Sequence, residues 1–339
     1  MYKILDLVFI CTTLILASYL LWQFWPSKIN WFGQENQSEE QSIKYAFIDK
    51  MTGLHSNNAA DLGPKAVAVM IDNHPDAYPL SGLNEAKIVY EALVEGGMTR
   101  FMAIFSSAQV VAKVGPVRSA RPDYFDWAAE YGMPLYFHCG GSPEALKALK
   151  IERDLVDVNE FYNGQYFWRE SLRIAPHNLY ISSSLWQEAS LKYKPAERSW
   201  LSFLFGKNNT TTVAENFEIK YAVNFTVGWK YDKVAGVYER HFNNEKFLGD
   251  NGEVITAQTV IVVKNKVDIL DEIGRRAIYN IGFGDAFIFA DGKVTTGTWK
   301  KSKAEFRTRF YDEAGSELGI PPGKIWFMSV PKENEVKIF

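Results

Sequence analysis

The chain has 339 residues, 47% hydrophobic and 23% charged, an ordinary balance for a folded protein with room for two domains. Lys and Arg number 37 against 40 Asp and Glu, so the formal net charge is −3 and no global basic excess favours nucleic acid. Two cysteines, Cys11 and Cys139, lie far apart, and Cys139 has no second thiol beside it in the part that follows the N-terminal segment.

Leu7 to Trp25 is an uncharged apolar run. At about 1.5 Å per residue it is long enough for the roughly 30 Å hydrocarbon core of a bilayer. Trp22 and Trp25 suit the membrane interface, and Pro26 ends the helix. The pattern predicts a transmembrane signal-anchor over residues 1–26. A flexible polar tether follows over 27–63, with Asp49–Asn58 as a partly ordered lead-in. A cleavable signal peptide is the alternative, although Ala17 and Ser18, its small residues, lie inside the apolar run. Lipidation at Cys11 is disfavoured because Ile10 stands where a small residue is needed. Lys3 and the amino terminus favour a cytoplasmic N-terminus, offset in part by Asp6. The bulk of the chain is then extracytoplasmic, on a single-pass protein of the cell membrane.

Residues 64–195 read as an α/β domain with a mixed sheet. Ala66–Ile71 is continuously apolar, as in a strand buried on both faces, and ends in Asp72-Asn73-His74-Pro75. Polar residues just past a buried strand are where α/β folds hold ligands, so Asp72, Asn73 and His74 are candidate binding residues. The bland reading of His74 is a turn residue packed beside Pro75.

Ile88 to Phe105 reads as a hairpin turned at Gly96-Gly97, since a two-residue loop needs positive φ at both positions. That register sets Glu91, Leu93 and Glu95 opposite Met102, Arg100 and Met98. Glu91, Glu95 and Arg100 would share one sheet face, with Tyr90, Ala92, Phe101 and Phe105 on the core face. A helix over Asn84–Glu95 is the alternative, with Glu91 and Glu95 at i,i+4. The cluster has two readings. It is a solvated salt-bridge ladder of little energetic weight, or a carboxylate tuned by a neighbouring cation for acid/base or ligand work.

Gly115–Pro122, GPVRSARP, is a loop that carries Arg118 and Arg121. Two guanidinium forks suit a carboxylate or phosphate, or they pair with Glu91 and Glu95. Pro122 to Tyr131 predicts a helix with Pro at its first turn. Pro134–Cys139 predicts a strand, and His138-Cys139-Gly140-Gly141-Ser142 leads into a helix from Pro143 to Leu149. Strand, glycine turn and helix N-terminus make a candidate anion cradle with His138 and Ser142, short of the spacing of a phosphate-binding loop. Ala175-Pro176-His177-Asn178 precedes Leu179–Ser182 and a helix from Ser183 to Leu191, adding His177 and Asn178. His74, His138 and His177 with Asp72 offer metal-ligand types, but no HxH or HxxxH spacing supports them. No metal and no cofactor are expected.

Four stretches in this order, VAVMIDNHPDAYPLSGLNEAKIVYEALVEGGMTRFMAIF, GPVRSARPDYFDWAAEYG, HCGGSPEAL and APHNLYIS, resemble the YerB-like family of bacterial extracytoplasmic proteins. The resemblance runs from Ala66 to the C-terminus. It implies paired N- and C-terminal domains of unknown function and an anchored protein of the bacterial envelope. Many family members are lipoproteins; the apparent transmembrane anchor departs from that. The resemblance brings no established reaction and no catalytic residues.

Leu191 to Asn216 reads as a linker, and residues 215–339 as a mainly-β domain. Phe225–Tyr231 and Val237–Phe242 form a hairpin; Val254–Lys264 holds the run TVIVV. Asp285–Phe289 and Lys293–Trp299 flank Asp291-Gly292, a strong turn signal. Phe306–Tyr311 and Lys324–Val330 are further strands. Trp229, Tyr231, Trp299, Phe310 and Trp326 read as sheet packing. The chain is thus expected to bind a ligand or protein partner of the cell envelope through a Glu/Arg/His pocket of its first domain. The alternative is a hydrolase of cell-wall glycan or peptide with Glu91 or Glu95 as acid/base. A third reading makes every named charge a structural salt bridge.

Overall fold

The computed structural model describes residues 46–339. The expected membrane span lies outside them; among the described residues no helix is long and apolar enough to cross a membrane. The first region supplies β1 (Ala66–Ile71), β2 (Ile88–Leu93), β3 (Thr99–Ser106), β4 (Leu135–His138) and β5 (Val156–Asn159). The second supplies β6 (Asn216–Ala222), β7 (Phe225–Asp232), β8 (Val237–Phe242), β9 (Thr259–Ile269), β10 (Gly282–Ala290), β11 (Lys293–Lys301), β12 (Arg309–Tyr311), β13 (Ile325–Pro331) and β14 (Val336–Ile338).

One mixed sheet of 11 strands runs β12-β11-β10-β9-β13-β2-β3-β1-β4-β5, with Arg276–Tyr279 paired beside β9. The strands from the two sequence regions meet where β13 lies parallel to β2, Trp326 beside Val89 and Met328 beside Glu91. The expected successive domains therefore share a backbone ladder inside one compact unit, Tyr45–Phe339. A second sheet of 6 strands contains β8, β7, β6 and β14 with two short strands.

The centre of the large sheet is buried on both sides, which is why β1 is wholly apolar and β2 and β13 nearly so rather than alternating. One face carries Val67, Val69, Val89, Phe101 and Trp326 and packs on Phe217, Val227 and Trp229 of the smaller sheet. The other carries Ala68, Met70, Tyr90, Met102 and Phe327 under Tyr124 and Trp127. The expected helix from Pro122 to Tyr131 is there, broken into 3-10 turns at Pro122–Tyr124 and Ala129–Tyr131 around a short α turn, Phe125–Ala128. Pro143–Leu149 and Ser183–Tyr193 are helical.

Three expectations need correction. The hairpin loop holds three residues, Glu95, Gly96 and Gly97, because the Val94 N–H donates to the Met98 carbonyl. Both glycines take positive φ as required, 70° and 73°. The extra residue pairs Ala92 with Arg100 and Glu91 with Phe101. Arg100 and Glu91 thus point to opposite faces, since a one-residue slip inverts every side chain. The stretch read as a linker buries Trp200 and Phe203, and the Gly206 N–H donates to the Ile320 carbonyl. The end of the expected tether is also built into the fold: Asp49 and Met51 are buried, and Asp49 accepts from the Met51 and Thr52 N–H groups.

Candidate functional site

The site begins where β1 runs out. Asp72 is buried, and its Oδ1 accepts from the N–H groups of Asn73 (2.9 Å) and His74 (3.2 Å), so the chain turns tightly around its own carboxylate. Its Oδ2 lies 2.8 Å from Nδ1 of His177 and 3.2 Å from Nε of Arg118. His74 packs against His177, ring centroids 5.1 Å apart and 22° from parallel. Asp72, His74, Arg118 and His177 therefore converge over the end of β1.

The backbone of GPVRSARP explains how Arg118 arrives there. The segment is threaded between the ends of β1 and β4. The Asp72 N–H donates to the Pro116 carbonyl, the Arg118 N–H to Met70 and the Cys139 N–H to Arg118. Further along, the Ala120 N–H donates to Gly140 and the Ser142 N–H to Ala120. Gly115 permits the close start of this run: φ is 148° there, and a Cβ would stand 2.7 Å from the Leu179 carbonyl oxygen. A loop fixed on both edges by backbone bonds presents its side chains without further ordering.

The two loop arginines do not act as a pair. Arg121 is held by Glu95 through Nε (2.8 Å) and a second guanidinium nitrogen (2.9 Å), a bidentate pair that occupies both carboxylate oxygens. Burial works against the Glu95 charge, but Arg121 outweighs it and holds the carboxyl below its usual range. Arg118 has Asp72 as its one ion-pair partner among the described residues, and its Nε lacks the alignment of a hydrogen bond there. Arg100, also buried, donates to the Ser119 carbonyl (3.0 Å) while its Nε has no partner. Burial, then the neighbouring Arg121, push Arg100 down to about 10. The guanidiniums of Arg100, Arg118 and Arg121 thus gather with the carboxylates of Asp72 and Glu95 at this end of the sheet, with Asp76 beside His74.

The remaining candidates are hydrogen-bonded within the fold. His138 is fully buried, its Nδ1 2.6 Å from the Gly140 carbonyl and its Nε2 2.7 Å from Asp157. Ser142 caps the helix Pro143–Leu149 through the Ala145 N–H. Asn178 accepts from Arg169 (2.9 Å) and donates to the Arg173 carbonyl (3.1 Å), which fixes the turn that carries His177. Asn73 donates to Thr99 (2.6 Å) and accepts from Tyr78. Thr99 in turn donates to Glu91 (2.7 Å).

Glu91 is not at the surface. Its Oε1 accepts from Arg240 and its Oε2 from the Trp326 indole N–H, each at 2.7 Å, with both charged side chains at 0% exposure. Arg240 itself lies among the rings of Phe101, Phe247 and Trp326. Sequence reading missed a second buried acid, Glu130. It accepts from Lys301 (2.5 Å), Arg307 (2.7 Å) and the Thr308 hydroxyl (2.7 Å). It also missed Asp76, whose carboxylate is 3.5 Å from Nδ1 of His74. The signal for Asp76 was its place two residues after His74 in the same turn.

These features define a bipartite mixed-sheet protein with a charged cluster over the ends of its first-region strands. The chain belongs to the YerB-like family. Residues 51–195 match the N-terminal domain, and 217–327 the C-terminal domain, of the family described as protein of unknown function (DUF3048). The chain is 34% identical over 282 residues to the protein named "Putative lipoprotein YerB" of Bacillus subtilis strain 168, across 81% of this chain and 83% of that protein. It is similar to the crystal structure of Bacillus subtilis YerB with a TM-score of 0.76 and 31% identity, over 86% of this chain and 99% of that one.

Proposed function

We propose that this protein is held at the extracytoplasmic side of the bacterial membrane and binds an anionic envelope ligand there, a carboxylate or a phosphate. The name of the Bacillus relative supports the location, together with the apolar run of this chain from Leu7 to Trp25. The observation that carries the binding reading is Arg118. It is fixed by a preorganised loop, shares one carboxylate with His177, and keeps donors to spare beside the part-exposed His74 and the more deeply set His177. A guanidinium fork so placed recognises planar or tetrahedral oxyanions.

The hydrolase reading draws no such support from Glu91 or Glu95. Glu91 has no exposure, and both oxygens of Glu95 are taken by Arg121. The test is calorimetric titration of the full chain in detergent with a poly(glycerol phosphate) fragment and, separately, with a muropeptide bearing free carboxylates. Binding in either arm that weakens about tenfold or more in Arg118→Gln supports the reading, the loss expected for a charge-assisted hydrogen bond. Silence in both arms, or affinity unchanged in Arg118→Gln, rejects it.

A further inference from the structure

His74, Asp76 and His177 offer one ligand atom each, all within 4.8 Å of one another. We propose that these three residues bind a divalent transition-metal ion such as Zn²⁺, with Asp72 as the outer carboxylate that orients His177. This goes beyond the anion reading and does not depend on it.

Three features of the geometry carry the inference. First, the ligand types are two imidazoles and a carboxylate, the donor set of zinc and related cations that keep open positions for a further ligand. Second, the His74 Nδ1 to Asp76 Oδ2 separation is 3.5 Å. Two ligands bound at about 2.0–2.1 Å in a tetrahedral site stand about 3.4 Å apart, so this edge is already formed. His74 Nδ1 accepts from the Asp76 N–H at 3.2 Å, and a metal on that nitrogen replaces this bond as the exposed imidazole turns. Third, His177 Nδ1 is committed to Asp72 at 2.8 Å, which leaves Nε2 as the nitrogen for a metal. A buried carboxylate on the far nitrogen of a ligating imidazole is the usual outer partner in metal sites, where it fixes the tautomer and the ring plane. Asp72 fits that role, because its side chain is 4% exposed and its other oxygen is tied to the backbone of the same turn.

The site is set for binding but not drawn tight. With all three donors within 4.8 Å of one another, closing the widest separation to a ligand edge takes at most about 1.4 Å. Asp76, three-quarters exposed, and His74, more than a third exposed, can supply this by side-chain rotation. The other histidines of the chain do not compete as a cluster: His138 and His241 are buried, and His55 lies in the N-terminal hairpin. Arg118 stands beside the site with its charge offset by Asp72, and would face an anion bound at an open metal position.

The test is Zn²⁺ titration of the full chain in detergent, stripped with a chelator, against a chromogenic competitor. One Zn²⁺ per chain is expected. Affinity falls about tenfold or more in His74→Gln and in His177→Gln, and falls in Asp72→Asn by the about 10–100-fold typical of an outer partner. Asp76→Asn, at an exposed position, weakens binding without altering the melting temperature, which separates ligand loss from unfolding. The titration is run in anion-free buffer and reads Zn²⁺ alone, so its failure and the failure of the anion reading are distinguishable. Absence of stoichiometric Zn²⁺ binding overturns the inference, as does binding that survives both histidine substitutions.

Discussion

Replacing Glu91 by glutamine removes one charge from a pair with no access to water. In the native protein both carboxylate oxygens accept hydrogen bonds, one from Arg240 and Thr99 and the other from the Trp326 indole. A glutamine amide must turn its NH₂ toward one of these donors, so one side loses its acceptor. Arg240 is left without a counter-charge at 0% exposure, and its Nε and one terminal nitrogen already lack partners. Breaking a buried pair from one side costs about 3–5 kcal/mol, because the surviving charge stays desolvated. The assay is urea denaturation followed by tryptophan fluorescence, with Glu91→Gln, Arg240→Met and the double variant as a cycle. The account expects each single variant to lose about 3–5 kcal/mol and the double variant to lose less than their sum. A Glu91→Gln protein within about 0.5 kcal/mol of wild type would refute the structural role, since that is the range of neutral surface changes.

Further outcomes follow from the same geometry. Burial opposes the Glu130 charge, but Lys301 and Arg307 outweigh it and lower its pKa, so its contribution is present above the ordinary carboxyl value and lost as pH falls through the folded one. Thermal melts should show Glu130→Gln destabilised at pH 7, with the gap to wild type narrowing below about pH 4. Asp126 has the opposite sign: burial raises it to about 6, so the folded state holds its proton and wild type loses stability as pH rises from about 4 to 6. Asp126→Asn should lessen that slope in the same melts, and Asp123, which burial also raises to about 6, supplies the rest. Gly115→Ala, with its Cβ 2.7 Å from a carbonyl oxygen, should cost more than about 1 kcal/mol and loosen the loop that carries Arg118. Urea denaturation measures the first effect and calorimetric anion titration the second. Burial and then Glu160 raise the Cys139 thiol, so in a Cys11→Ser background iodoacetamide at pH 8 should label it more slowly than free cysteine.

Much of the fold was legible because local pattern and final environment agree. The six apolar residues of β1 announce a strand covered on both faces, and they are buried throughout. Asp291-Gly292 turns β10 into β11, with positive φ at both residues. Trp229, Trp299, Phe310 and Trp326 are core residues of the sheets, as their spacing implied. The hairpin register was not legible, because counting Glu95 into the strand or the loop is a choice of one residue that no local preference decides. That choice separated Arg100 from Glu91.

Nor could the partners of the buried acids be found locally. Arg240 lies 149 positions from Glu91 and Arg307 lies 177 from Glu130, distances in sequence that only the packing of the second region on the first closes. Within the site, the placement of Asp72, His74 and His177 at turns after apolar runs was readable. The division of labour between Arg118 and Arg121 was not, because it depends on which edge of the threaded loop each side chain leaves.

The most direct test of the anion-binding account is a crystal structure of the protein grown in phosphate. The account predicts a phosphate with oxygens about 2.7–2.9 Å from the outer guanidinium nitrogens of Arg118, on the side of His74 and His177. An Arg118 that closes both forks on Asp72, with phosphate bound only elsewhere, would contradict it.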